Sequence, residues 1–452
     1  LDDSGAVIPD LSTFGAKASG VPGSVAGLYE LWKNHGSKPW EELVRPAALL
    51  ADTGFILDEY HASTLAENRS GLTAFQETSD IFFPGGQSLK AGDRLTQKDL
   101  ASTLYAIATE GPDGFYTGPV AEKIVASMET HDGLITAADL ANYRPVWREP
   151  IHFTFDSLDI YSMAPPSSGG IIIAQILKLI EPYDFSTYTP NSPEYIHLFT
   201  EAARLAYADR SVHLGDPAFY QIPSGLLSDQ YLAKRRGMID MDKAGLSEQV
   251  SAGNPMGHES DQTTHLSVCD KYGNMVAITT TLNTAYGCKL VVDGAGFLLN
   301  NEMDDFSVKP GVPNYFGLIG AEANKIEPGK RMLSSMSPTL VLENREPLLI
   351  LGSPGGSKII TTVAQAIIDF DRFHMAIDEI VAHPRFHHQW LPDVVYLEQG
   401  GYPESVKTAL EKYGHKVEER TPYGDLQMIY IDPAGLMAAA SDPRNDGASG
   451  GY

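Results

Sequence analysis

The stretch "ESDQTTHLSVCDKYGNMVAITTTLN", residues 259–283, decides the fold. Two threonines, Thr263 and Thr264, stand directly before the alternating run His265-Leu266-Ser267-Val268-Cys269. A turn of Lys271-Tyr272-Gly273-Asn274 follows, then a second apolar run. Alternation at period two on either side of such a turn predicts a β-hairpin, 264–269 with 275–282. The threonine pair at its mouth has two readings. Threonine is simply a good strand former. Alternatively, one threonine is destined to become a chain end. A threonine hydroxyl is a weak nucleophile and needs a base, which a free α-amine on the same residue supplies, its pKa lying near neutrality. That reading requires a cut between Gln262 and Thr263. The polar, poorly periodic stretch 244–262 reads as an exposed linker in which such a cut is sterically possible.

Outward from this hairpin the chain changes texture. Toward the C-terminus come paired strands at 338–342 and 348–351 and at 427–431 and 436–440, each pair flanking a short polar turn. Helices are predicted at 359–370, 376–382 and 405–413. Toward the N-terminus the chain is helix-rich, with helical spacing at 24–34, 41–51, 97–109 and 120–128. A long amphipathic helix at 192–210 opens on Ser192-Pro193 as cap and first turn. A hairpin at 151–155 and 158–163 precedes "APPSSGG". Strand runs with helix runs predict antiparallel sheets under helical cover, an α+β fold.

Composition narrows the function. The chain has 452 residues, 43% hydrophobic and 20% charged, enough for a large core in two or three domains or one layered one. Its net charge of −25 repels nucleic acid and anionic membrane surfaces, so neither is expected as a partner. Two cysteines, Cys269 and Cys288, make no disulfide framework and no zinc spacing, and are expected as small buried hydrophobes. No run reaches the roughly 18 apolar residues of a membrane span. No signal peptide is visible, and the opening "LDDSG" lacks an initiator Met, so residues are expected to precede Leu1.

Several further stretches can carry chemistry. In "GSPGGS", Gly352 to Ser357, a strand meets a helix through glycines whose N–H groups can converge on an oxyanion; a tight strand–helix turn is the alternative. The stretch is neither a phosphate loop nor a Gly-x-Ser-x-Gly elbow. "LLNNEMDDFS" crowds Asn300, Asn301, Glu302, Asp304 and Asp305 into one loop, suited to an ammonium group or a cation, or else merely solvated. Ser334 and Ser335 in "LSSMSPT" can donate to a carboxylate or cap a turn. Adjacent histidines in "FHHQW" face opposite ways in a strand, which argues against a shared metal.

Together these motifs resemble the γ-glutamyltranspeptidase family. The residues that carry the likeness are "DQTTHLSV", "TLNTAYG", "LLNNEMDDFS", "KPGVPN", "LSSMSPT", "GSPGGS", "HPRFHHQWLPD" and "SDPR". "DLSTFGAKASGVPGSVAG", "MAPPSSGG" and "AYADRSVHLGDP" extend it through the first half in family order.

The resemblance implies an N-terminal nucleophile hydrolase, an αββα four-layer sandwich here lacking its N-terminal portion. It implies a precursor cut between Gln262 and Thr263 into a large portion, 1–262, and a small one, 263–452, that stay partners. Thr263 becomes the nucleophile and its amine the base. Thr281 matches the threonine that supports it. Asn283, Glu302 and Asp305 match groups that hold the α-amino and carboxylate end of the donor, with Ser334 and Ser335 on the carboxylate. Gly355 and Gly356 match the oxyanion hole. The expected donor is glutathione, the acceptor water or an amino acid, and no metal or organic cofactor is implied. A periplasmic or secreted location follows from the same likeness. The family's carboxylate-clamping arginine falls before Leu1, and Phe316 stands where some bacterial members carry a tyrosine in a lid-like loop. A glutaryl (cephalosporin) acylase and an unprocessed, inactive relative are the alternative readings.

Overall fold

The structure, a computed structural model, describes residues 1–250 and 263–451. The chain forms two compact units. The first contains residues 1–148 and 282–304; the second contains 149–281 and 305–452. Each is thus assembled from chain on both sides of Thr263.

The first unit is mainly helical, with Ser24–His35, Trp40–Thr53, Lys98–Glu110 and Gly118–Thr130 as its longer helices. These are the predicted helices at 24–34, 41–51, 97–109 and 120–128. Their apolar faces close over Leu290, Val292 and Leu299 of the second segment, in a core with Ile107, Phe115, Ile124 and Leu140. Hydroxyls stitch the irregular segment to the helices. Thr103 Oγ1 donates to the Ala295 carbonyl at 2.8 Å, and Thr78 Oγ1 donates to Lys289 O and accepts from Val291 N–H, both at 2.9 Å. These bonds satisfy backbone groups that a strand or helix would otherwise have paired.

The second unit is built on a six-stranded, wholly antiparallel sheet. Its strands are β1 (Ile151–Phe155) and β2 (Leu158–Ser162), then β5 (Thr339–Glu343), β6 (Glu346–Gly352), β7 (Gln427–Ile431) and β8 (Met437–Ser441), in spatial order β8-β7-β6-β5-β2-β1. Helices α1 (Gly169–Ile180) and α3 (Lys358–Asp371) cover one face, and α2 (Pro193–His213) packs outside α1. The hairpin of β3 (Thr264–Cys269) and β4 (Met275–Thr280) lies on the other face, against β6 and β7. Central strand β6 is therefore covered on both sides, which is why Leu348-Leu349-Ile350-Leu351 is a continuous apolar run rather than an alternating one. Helix, sheet and second sheet make three layers of the expected sandwich. The outer face of the hairpin carries Leu266 and Val268, 55% and 43% exposed, and no described element of this unit covers it.

The exposed linker predicted at 244–262 is corrected at three positions of its first part, while Leu246, Glu248 and Gln249 are exposed as expected. Ala244, Ser247 and Val250 are buried. The Trp390 indole N–H is shared between the Ser247 and Val250 carbonyls, and Asp393 accepts from Ser247 N–H. Polar composition suggested solvent, but a buried tryptophan and a carboxylate fix the backbone there. The remainder, 251–262, lies outside the described residues.

Cys288 is buried as expected; Cys269 is half-buried.

Candidate active site

The β3–β4 ladder pairs Thr264 with Thr280 and His265 with Thr279. The ladder ends at Thr264–Thr280; its register, carried one step past that last pair, would set Thr263 opposite Thr281. Side chains alternate across a strand, so the pair shares a face with His265 and Thr279. That face points inward. His265 is buried, and its ring fills the space beside Gly352, where a Cβ would lie 2.2 Å from ring carbon Cε1. Its Nδ1 meets Thr279 Oγ1 at 2.8 Å, and burial pushes its pKa down to about 4, so the ring is neutral. Thr263 is half-buried.

Gly352 ends β6 and begins the glycine turn. Gly355 and Gly356 adopt φ of 135° and 53°, which side-chain-bearing residues rarely reach. Their carbonyls accept from Lys358 N–H at 2.9 Å and Ile359 N–H at 3.3 Å in the first turn of α3. What these two glycines can offer a ligand is then N–H donors at a helix start, a favourable setting for negative charge. A Cβ on Gly356 would lie 2.5 Å from the Phe316 ring, so the 309–321 loop is seated directly on the turn.

Ser334 and Ser335 lie in a loop gripped from behind. Ser168 donates to the Ser334 carbonyl from both its N–H and its Oγ, each at 2.8 Å. Ser167 Oγ donates to Met336 O at 2.7 Å, and Asp216 accepts from Arg331 N–H at 2.9 Å. "PPSSGG" and "LGDP" are thereby explained: they brace this serine loop. Helix α2 contributes twice, one turn apart. Tyr207 Oη donates to the Ser357 carbonyl at 2.5 Å, behind the glycine turn. Arg210 Nη2 donates to Ser335 Oγ at 3.2 Å. Asp305, half-buried, acts electrostatically on Arg210, and its carbonyl accepts from Asn324 Nδ2 at 2.8 Å.

Asn283 and Glu302 belong to the first unit. Asn283 is buried at φ 76°, with its Nδ2 donating to Asn301 O at 3.0 Å. Glu302 is half-buried and donates its N–H to Asn300 Oδ1. The crowded loop divides by role. Asn300 exchanges two 2.9 Å bonds with the Gly20 backbone, Asn301 donates to Thr13 O, and Asp304 accepts from Ser12 Oγ. These three are braces to the "DLSTFGAKASG" segment. Gln262 lies outside the described residues.

Among the described residues of the second unit, His197, Glu201 and His415, all buried, come within metal-ligand reach of one another. Each of the three already has a hydrogen-bond partner within the protein. His197 Nε2 donates to Asp240 O at 2.8 Å and Nδ1 meets His415 Nε2 at 2.7 Å, while Glu201 pairs with Arg204. His197 and Glu201 lie on α2, and Glu201 also accepts from Gly245 N–H at 3.2 Å. His387 and His388 also have separate partners, Thr361 with Gln389 and Asp393 respectively.

Comparison with known proteins decides the family. The sequence profile described as gamma-glutamyltranspeptidase matches residues 2–452. The chain belongs to the gamma-glutamyltranspeptidase family. It is 45% identical to a glutathione hydrolase proenzyme of Escherichia coli (strain K12), over all of this chain and 78% of that protein. In structure it resembles a cephalosporin acylase from Bacillus halodurans, with TM-score 0.85, 26% identity, and coverage of 97% of this chain and 80% of that one. It also resembles the gamma-glutamyltranspeptidase of Helicobacter pylori, with TM-score 0.55, 40% identity, and coverage of 56% of this chain and 72% of that one. The expected N-terminal nucleophile hydrolase class is that of these neighbours. No described helix is long and apolar enough to cross a membrane. Family motifs pointed to the threonines, glycines and serines. They did not point to His265, Tyr207 or Arg210. The available signal was the helical spacing of Tyr207 and Arg210 within "AYADR", a polar pair on a helix buried from Tyr195 to Ser211.

Proposed function

We propose that this protein transfers γ-glutamyl groups through an ester on Thr263 and matures by cutting itself before that residue. The observation that carries the reading is the ladder: it ends at Thr264–Thr280, and its register continued one step leads to Thr263 and Thr281, on the face by which His265 meets Gly352, where the glycine turn departs. The packing of β3 against β6 supports reading Thr263 as the nucleophile and the glycines after β6 as its oxyanion donors. In the precursor, Thr263 Oγ attacks the Gln262 carbonyl carbon and displaces the Thr263 nitrogen. Water then opens the ester, leaving a Gln262 carboxylate and a free amine.

In the mature enzyme that amine accepts the hydroxyl proton as Oγ attacks the donor's γ-carbonyl carbon. Gly355 and Gly356 N–H groups receive the developing oxyanion, a role worth on the order of 3 kcal/mol per donor. The proton passes to the leaving amine, and the γ-glutamyl ester remains. Water or the amine of an amino acid then attacks it. Ser334 and Ser335 hold the donor carboxylate and Asp305 the ammonium. Asn283 and Glu302 join them by family likeness alone. Glutathione is the donor, as in the name of the E. coli relative, and the location is periplasmic or secreted. The large portion, 1–262, and the small one, 263–452, remain partners after the cut.

The likeness to a cephalosporin acylase supports a second reading, in which the donor is glutaryl and lacks the α-ammonium. Asp305 argues for the γ-glutamyl donor, because a carboxylate has no role toward an uncharged methylene. Turnover of γ-glutamyl-p-nitroanilide and glutaryl-p-nitroanilide separates the two. The γ-glutamyl anilide is expected to be the better substrate by at least tenfold in kcat/KM. A preference for the glutaryl anilide would assign the acylase activity instead.

A further inference from the structure

Arg210 is one of the most deeply buried charges in the second unit, 4% exposed on the inner face of α2. It donates from Nε to Ser168 Oγ at 2.9 Å and from Nη2 to Ser335 Oγ at 3.2 Å. Burial lowers its pKa to about 10, so it stays charged at neutral pH. Asp305 and Tyr207 oppose that shift. Stability alone gives little reason to bury a guanidinium against two neutral hydroxyls.

The directions of these bonds supply the reason. A hydroxyl oxygen that accepts from a guanidinium has its own proton left to donate. Ser168 uses that proton on the Ser334 carbonyl, at 2.8 Å. Ser335 Oγ is polarised in the same way, on a loop whose other contacts are backbone braces. A hydroxyl fixed as a donor and carrying cationic polarisation suits a carboxylate and repels an ammonium. The Asp305 carboxylate, which acts electrostatically on Arg210, has the opposite preference, so Arg210 interacts with both groups that would read the two charges of an amino-acid head.

We propose that Arg210 is a positioning residue for donor recognition: it fixes Ser335 as a hydrogen-bond donor and lends positive potential to the subsite for the α-carboxylate. This rests on the proposed role of Ser335 toward the donor carboxylate. The arginine does not touch the reacting atoms, so its effect depends on whether the donor carries a carboxylate.

The test compares R210M, R210K and S335A in the processed enzyme on two donors. γ-Glutamyl-p-nitroanilide carries both charges, whereas 4-aminobutanoyl-p-nitroanilide keeps the ammonium and lacks the carboxylate. R210M should lower kcat/KM for the γ-glutamyl anilide roughly tenfold or more, mainly through KM, and for the 4-aminobutanoyl anilide less than about threefold. R210K, which keeps the charge and loses the two-pronged fork, should fall between wild type and R210M on the first donor. It also serves as the readout if R210M does not mature. Equal losses on both donors would make Arg210 a purely structural residue and overturn the proposal. If S335A discriminates between the donors and neither arginine variant does, the role of Arg210 alone fails. If S335A does not discriminate either, the serine reading fails with it.

Discussion

Gly356 and His265 carry the sharpest expectations for single residues. At Gly356 an alanine methyl meets the Phe316 ring at 2.5 Å and must also adopt φ 53°. Gly356→Ala should therefore displace the N–H it carries and lower kcat by roughly 100-fold or more, the loss typical of one oxyanion donor. Near-normal kcat in a folded, processed variant would remove this turn from the chemistry. At His265 the folded pKa of about 4 lies below the ordinary 6.5. The unfolded chain therefore binds the extra proton first as pH falls. The stability involved is present in full above about 6.5 and is lost progressively between 6.5 and 4, about 3 kcal/mol in all. Urea unfolding of wild type and His265→Asn across that range should show wild type losing about 3 kcal/mol more than the variant. Parallel curves would contradict the buried, neutral ring.

At the level of elements, Ser168 links α1, α2 and the serine loop. Its Oγ accepts from Arg210 and donates to Ser334 O. Ser168→Ala removes both bonds, one of them to a charged group, and should cost about 2 kcal/mol in urea unfolding while raising donor KM. An unchanged KM would separate the serine loop from donor binding. Elements also show what could be read from the sequence. The β3–β4 hairpin was readable because inward His265, Ser267 and Cys269 alternate with outward Leu266 and Val268. Helix α2 was readable from its Ser192 cap and Pro193. Ser247 and Val250 misled because their backbone is fixed by Trp390 and Asp393, about 140 residues away in sequence. Arg210 stayed silent for the same reason: its partners Ser168 and Ser335 come from distant segments, and a quoted motif says nothing of what its arginine holds.

For the molecule as a whole, each compact unit draws on chain before and after Thr263. Strands β1 and β2 from before it pair into the same sheet as β5 to β8 from after it. A cut before Thr263 breaks one peptide bond and none of that ladder. The two portions should therefore co-elute on gel filtration after maturation and separate only in denaturant. Separation under native conditions would mean that the shared sheet is not what holds them. Fold class was readable at this scale because whole-chain motif order carries it. The division into units was not, since each one recruits a segment, 282–304 or 149–281, that crosses the boundary suggested by the cut.

The central claim is that one residue supplies hydroxyl and amine once its upstream peptide bond is gone. N-terminal sequencing of the fragments from wild type, Thr263→Ser and Thr263→Ala tests it most directly. Wild type should yield a small fragment beginning Thr-Thr-His-Leu-Ser-Val, and the serine variant one beginning Ser-Thr-His, formed more slowly. The alanine variant should remain a single chain with no turnover of the γ-glutamyl anilide. Cleavage of the alanine variant at the same bond, or a wild-type fragment that begins at any other residue, would contradict the account.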